Sequence, residues 1–206
     1  VRAFRVVDDA LTAGVGEDER HVLTTVVADV AELLGAGRLE ARAPRGDGTP
    51  EDQVGLRLRL DPLPAPDDPA VHRLLPDASR EDPEVSAEFR RLTEDDLRQD
   101  KIDRLATLYA ALTAPEATEE GVLLLPRAHG PRLAATLTDI RLVLADRLGL
   151  TDEEAAAALE DELDGPEPDA DDRSAQVRHY LGTVYVALGW WQETLMSCLL
   201  ADLDRR

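Results

Sequence analysis

The chain has 206 residues, 43% of them apolar, enough for one ordinary domain with a substantial core and short for two. Asp and Glu number 43 against 23 Lys and Arg, a formal net charge of −20, so it lacks the cationic surface that displaces counterions from nucleic acid or docks on anionic lipid. The single cysteine excludes an internal disulfide and any multi-cysteine metal site.

The first 15 residues read as a β-hairpin: Phe4 and Val6 alternate with polar neighbours, Asp8-Asp9 supply turn chemistry, and Leu11, Ala13 and Val15 alternate again. A helix follows from about Glu17, with Val22, Leu23, Val26, Val27, Val30, Leu33 and Leu34 at helical spacing, and Gly35 and Gly37 end it. Residues 35–53, rich in Gly, Pro and charge, are expected to be a mobile loop. The alternation of Val54, Leu56, Leu58 and Leu60 then predicts a short strand available to pair with the hairpin, followed by a proline-stiffened connector.

Asp68-Pro69 and Asp82-Pro83 each read as an N-cap with proline at the first helical position. They predict a short helix over 69–75 and a long one from Pro83 toward Leu112. Val85, Phe89 and Leu92 set the first apolar stripe of that long segment, Leu97 shifts its phase, and Ile102, Leu105, Leu108, Tyr109 and Leu112 resume it. Thr93-x-x-Asp96 has the spacing of an N-cap, so the pattern allows one helix or two. GVLLL at 121–125 fits a brief strand. The helix from Pro131 to Leu148 carries Leu142 nearly opposite Leu133, Leu137, Ile140 and Leu144, which marks it as central and covered on more than one face.

Thr151-Asp-Glu-Glu154 has capping-box spacing at the start of an alanine-rich helix. Residues 151–172 hold eleven acidic side chains and no basic one, and 164–173 read as an acidic disordered linker or as a tether for a basic partner. In a final helix over 174–204, Val177, Leu181, Val184, Leu188, Trp191, Leu195 and Cys198 keep an unbroken heptad seam. Such a seam packs inside its own bundle or against a partner, with Tyr185 and Trp190 off the seam as a candidate partner patch. The expected fold is therefore mainly α: a single-domain bundle of five or six helices with a small N-terminal β element. No apolar run approaches the roughly 20 residues that span a bilayer. VRAFRVVDD also lacks the order of a secretion signal, so a cytoplasmic protein is expected.

Candidate chemistry is sparse. His21, His72, His129 and His179 are isolated, and Asp68 with His72 supplies two potential ligands but no third, so neither metal nor cofactor is expected. No nucleophile elbow or phosphate-cradling glycine loop is present, and Cys198 falls on the apolar seam, where burial blunts a thiol. An enzyme is not expected. Glu88–Arg91, Glu94–Arg98 and Asp100–Arg104 have the spacing of intrahelical ion pairs, which leaves no free cationic row for a DNA groove.

Three segments carry a family likeness: DPAVHRLLPDASREDPEVSAEFRRLTEDDLRQDK from Asp68, LAATLTDIRLVLADRLGL from Leu133, and the terminal VYVALGWWQETLMSCLL. In order and spacing they resemble actinobacterial proteins long filed as a domain of unknown function and later called actinobacterial oxidative stress regulators. The family pattern carries over onto Pro76, Glu88, Phe89, Arg90, Arg91, Asp139, Arg141, Arg147, Gly189, Trp191 and Gln192, with no catalytic role for any of them. These residues read as structural or partner-facing. The Arg and Asp positions are expected to pair between helices, with Phe89 and Trp191 in the core. The chain departs from the pattern at Thr138, where the family usually has Asn, and at Ser79, where it often has Tyr.

The resemblance implies a transcription-linked role in the response to oxidants, exerted with a sigma factor of RNA polymerase and switched by an intramolecular disulfide. With Cys198 alone that switch cannot operate as described. Either the redox part is confined to some members, or Cys198 bridges two chains in a homodimer. The family's gene neighbourhood implies an alternative, an accessory or adaptor in Clp-type regulated proteolysis. The expected activity is thus non-enzymatic, by protein contact.

Overall fold

The structure is a computed structural model that describes residues 1–39, 63–79 and 81–203. The strand expected at 54–60 and most of the expected loop at 35–53 lie outside the described residues. No helix among them is long and apolar enough to cross a membrane.

The hairpin forms as β1 (Arg5–Val7) and β2 (Ala10–Gly14), paired antiparallel with Val7 opposite Ala10. Its two-residue turn places Asp8 and Asp9 at φ 48° and 65°, the left-handed conformation that matches strand twist. The third strand of the sheet is β3 (Val122–Pro126), which pairs antiparallel with β2 in the order β1-β2-β3. Leu11, Ala13, Leu123 and Leu125 turn inward from the sheet and are buried.

Seven α-helices are described: α1 (Glu17–Leu33), α2 (Pro69–Leu74), α3 (Pro83–Thr113), α4 (Pro115–Glu120), α5 (Gly130–Leu148), α6 (Glu153–Leu163) and α7 (Arg173–Leu203). The short α4, with proline at its start, is the one the sequence pattern missed. α3 is a single unbroken helix, because the Thr93 hydroxyl donates back to the Phe89 carbonyl at 2.9 Å and caps nothing. The cap of α6 falls one residue beyond the expected Thr151: Asp152 accepts from the Ala155 amide at 2.9 Å.

α5 is central, packed against α7, α2, α3 and α1, as its two-sided apolar pattern predicts. The seam of α7 packs into the bundle from Val184 through Leu195, whereas Val177 is exposed. Trp191 is fully buried, stacked on Phe4 with ring centroids 4.7 Å apart, and its indole N–H donates to the Arg2 carbonyl. α6 covers the near end of α7 through Leu159 and Leu163, where Gly182 permits the approach. The acidic stretch expected to be disordered makes local bonds: Gln176 donates to the Asp169 and Ala170 carbonyls, and the Asp172 carboxylate accepts from the Ala175 amide.

Candidate functional site

Proline and caps fix where α3 begins. Asp82 accepts from the amides of Glu84 and Val85, both at 3.0 Å, and Pro83 has no amide to orphan. Ser79 and the buried Ser86 clasp the approach to the helix: the Ser86 hydroxyl donates to the Ser79 carbonyl at 2.7 Å and accepts from its amide at 3.0 Å. The first three turns of α3 are therefore rigidly held even though little of the apolar core reaches them.

Their inward face is charged. Arg90 is buried and donates to the Asp77 carboxylate and, at 2.9 Å, to the Leu63 carbonyl. His72 meets the other Asp77 oxygen at 3.1 Å. Burial pushes the Asp77 carboxyl up, but the Arg90 and His72 bonds together outweigh it and hold the group below its ordinary range. Further along, Glu94 pairs with Arg98 at 2.6 Å, and Arg98 donates to the Leu34 carbonyl at the end of α1. Arg90 Nε and Glu94 Oε2 are buried without a hydrogen-bond partner.

The consequence is an inverted helix. With Ser86, Arg90 and Glu94 inside, Val85, Phe89 and Leu92 point to solvent and are 51%, 50% and 62% exposed. Phe89 was expected in the core; it is on the surface because Ile102, Leu105, Leu108 and Leu112 fix which side of α3 faces the bundle. Carried back at helical spacing, that side falls on Lys101, Glu94 and Arg90, and the Val85–Phe89–Leu92 stripe lands opposite. Glu84, Glu88 and Asp96 flank or continue the stripe. Arg91 beside it is clamped by Glu88 through two bonds of 2.8 and 2.6 Å, and that contact holds the Glu88 carboxyl below its usual range.

The other expected positions do pair between helices. Asp139 of α5 accepts from Lys101 at 2.6 Å and from Arg104 at 3.1 Å, all three buried. Arg141 donates to Gln192 at 2.9 Å and lies 5.1 Å over the Tyr185 ring, with its guanidinium beside Gly189. Gln192 also donates to the Thr138 hydroxyl at 2.7 Å. Arg147 reaches Asp68, the cap of α2, at 2.7 Å; this bond, above all other contacts, lowers the Asp68 pKa and raises that of Arg147. Pro76 is exposed in the turn after α2.

Tyr185 and Trp190 occupy different faces: five residues place them about 140° apart, with Tyr185 half-buried under Arg141 and Trp190 exposed. Among the described residues no three His, Cys, Asp or Glu side chains are grouped so as to hold a metal ion. Cys198 is half-buried, its sulfur 3.1 Å from the Phe4 carbonyl. Sequence reasoning missed a groove of about 570 Å³ between α1 and α7. No signal in the sequence marks it, because its walls come from residues more than 150 positions apart.

This is a mainly helical domain with a small sheet at its N-terminal end and an exposed, acid-flanked apolar stripe on α3, one of its two longest helices. The chain belongs to the family described as Domain of unknown function (DUF2017), which matches residues 1–199. No curated protein and no solved structure matches it.

Proposed function

We propose that this chain is a non-enzymatic cytoplasmic regulator that acts by gripping another protein, and that its partner is RNA polymerase carrying a sigma factor, in the response to oxidants. The observation that carries the contact reading is the stripe of Val85, Phe89 and Leu92, three large apolar side chains left half or more exposed on a helix whose base is firmly anchored. Exposed apolar residues in a contiguous row, on a rigid element, are what a partner helix or strand buries on docking. Glu84 and Asp96 beside them favour a basic face on that partner. The likeness of the α3 segment to the oxidative stress regulators supplies the transcriptional part of the reading.

The test is binding of purified RNA polymerase holoenzyme, at low and physiological salt, to the chain and to a Phe89→Ser/Leu92→Ser variant. Both positions are solvent-facing, so the variant is expected to keep the fold, with stability changed by about 0.5 kcal/mol or less. The wild-type chain is expected to bind in a salt-sensitive manner and the variant at least about tenfold more weakly, a loss of ~1.4 kcal/mol. Absence of wild-type binding, or equal binding by both, overturns the reading. Binding through the same stripe to a Clp adaptor in place of polymerase overturns its transcriptional half.

A further inference from the structure

The groove between α1 and α7 is independent of the stripe on α3, and its chemistry is distinct. Val22 and Leu23 of α1 and Val184, Leu188 and Trp191 of α7 supply its apolar walls, while Ala187 and Thr183 leave its mouth open. Its charged rim is acidic apart from the Val1 ammonium, which pairs with Glu19. Asp18 and Glu19 come from the first turn of α1, and Glu167 from the turn before α7. Glu19 is committed, accepting from the Gly16 amide at 2.8 Å. Asp18 and Glu167 have neither a hydrogen-bond nor an ion-pair partner among the described residues. Tyr180, 45% exposed, and His179 complete the rim.

We propose that this groove binds a small cationic amphiphile, an aliphatic or aromatic body bearing an ammonium or guanidinium head. The body would lie along Val22, Val184 and Leu188, and the head among Asp18, Glu167 and Tyr180. Two arguments select this ligand class. The volume of about 570 Å³ falls within the range of small-molecule sites. Two unpaired carboxylates beside an aromatic face attract a cation and repel a carboxylate, sulfate or phosphate head.

The experiment titrates the full chain, at physiological salt, with three probes of equal alkyl length below their critical micelle concentrations: decyltrimethylammonium, decanoate and decyl maltoside. Binding is read by calorimetry and by tryptophan fluorescence. The ammonium is expected to bind saturably at one site, at least tenfold more tightly than the other two. Asp18→Asn/Glu167→Gln is expected to erase most of that preference while leaving the melting temperature near wild type. Ala187→Trp, which plugs the mouth from an exposed position, is expected to abolish binding with the helical circular dichroism unchanged. Equal affinity for the three probes, undiminished binding by the plugged variant, or binding of a Lys/Leu amphipathic peptide with none of the ammonium each overturns the proposal. Since neither Phe89 nor Leu92 lines the groove, failure here leaves the partner-binding reading untouched, and the reverse.

Discussion

Asp139 holds two cations at once in a nearly dry space between α3 and α5, with Lys101 and Arg104 each 8% exposed and Arg104 Nη1 left without a hydrogen-bond partner. Removing the shared anion strands the Lys101 charge and leaves Arg104 only its 2.9 Å bond to Asp100, so Asp139→Ala is expected to cost about 3–5 kcal/mol in urea unfolding, far more than the loss of a surface pair. The Asp68–Arg147 bond makes a different prediction. Because Arg147 depresses the folded-state pKa of Asp68 below the ordinary 3.8, the bond stabilises at neutral pH and is lost as pH falls through that depressed value. Asp68→Asn keeps the helix cap but not the ion pair. The stability gap between wild type and this variant is therefore expected to be open at pH 6 and to close in acid, as checked by chemical denaturation across that range. Trp191 carries packing rather than charge. Its replacement by Ala is expected to cost about 3–5 kcal/mol, as for other fully buried aromatics.

Elements show where local sequence sufficed and where it did not. The hairpin, the proline-led starts of α2 and α3, and the two-sided burial of α5 follow from turn chemistry, caps and periodicity within a dozen residues. The inversion of α3 does not. Its Val85–Phe89–Leu92 spacing is that of a buried stripe, and only the competing demand of Ile102, Leu105, Leu108 and Leu112 on the same rigid helix turns it outward. The candidate stripe was therefore legible as residues but not as a surface, and the α1–α7 groove was not legible at all. The hairpin turn offers one test at this scale. Asp8→Asn/Asp9→Gly supplies residues that tolerate positive φ, and it is expected to raise stability by about 0.5–1 kcal/mol in thermal melts. Gly182 offers another, since a Cβ there would stand 2.9 Å from Leu159 Cδ1. Gly182→Val is expected to cost about 1–3 kcal/mol and to speed amide exchange in α6 while α3 and α5 keep their protection.

Charge governs the molecule as a whole. A formal −20 on 206 residues means that like charges repel across the surface, while the inward ion pairs of α3 are shielded from solvent. Screening acts on the first and scarcely on the second. The melting temperature is thus expected to rise as sodium chloride increases from about 10 to about 150 mM, over which the screening length shrinks from ~30 to ~8 Å. The same excess of anions makes symmetric pairing of two α3 stripes unfavourable, because Glu84 and Asp96 of each would add to the repulsion.

The backbone at Arg2 and Phe4 is held by α7: Trp191 donates to the Arg2 carbonyl, Thr194 accepts from the Phe4 amide at 3.2 Å, and Cys198 sits against the Phe4 carbonyl. During synthesis at about 5–20 residues per second, those early residues leave the ribosome roughly ten seconds or more before the helix that completes them. Until then Phe4 has no Trp191 to stack on, and the nascent protein shows this apolar ring to whatever chaperone stands at the exit tunnel.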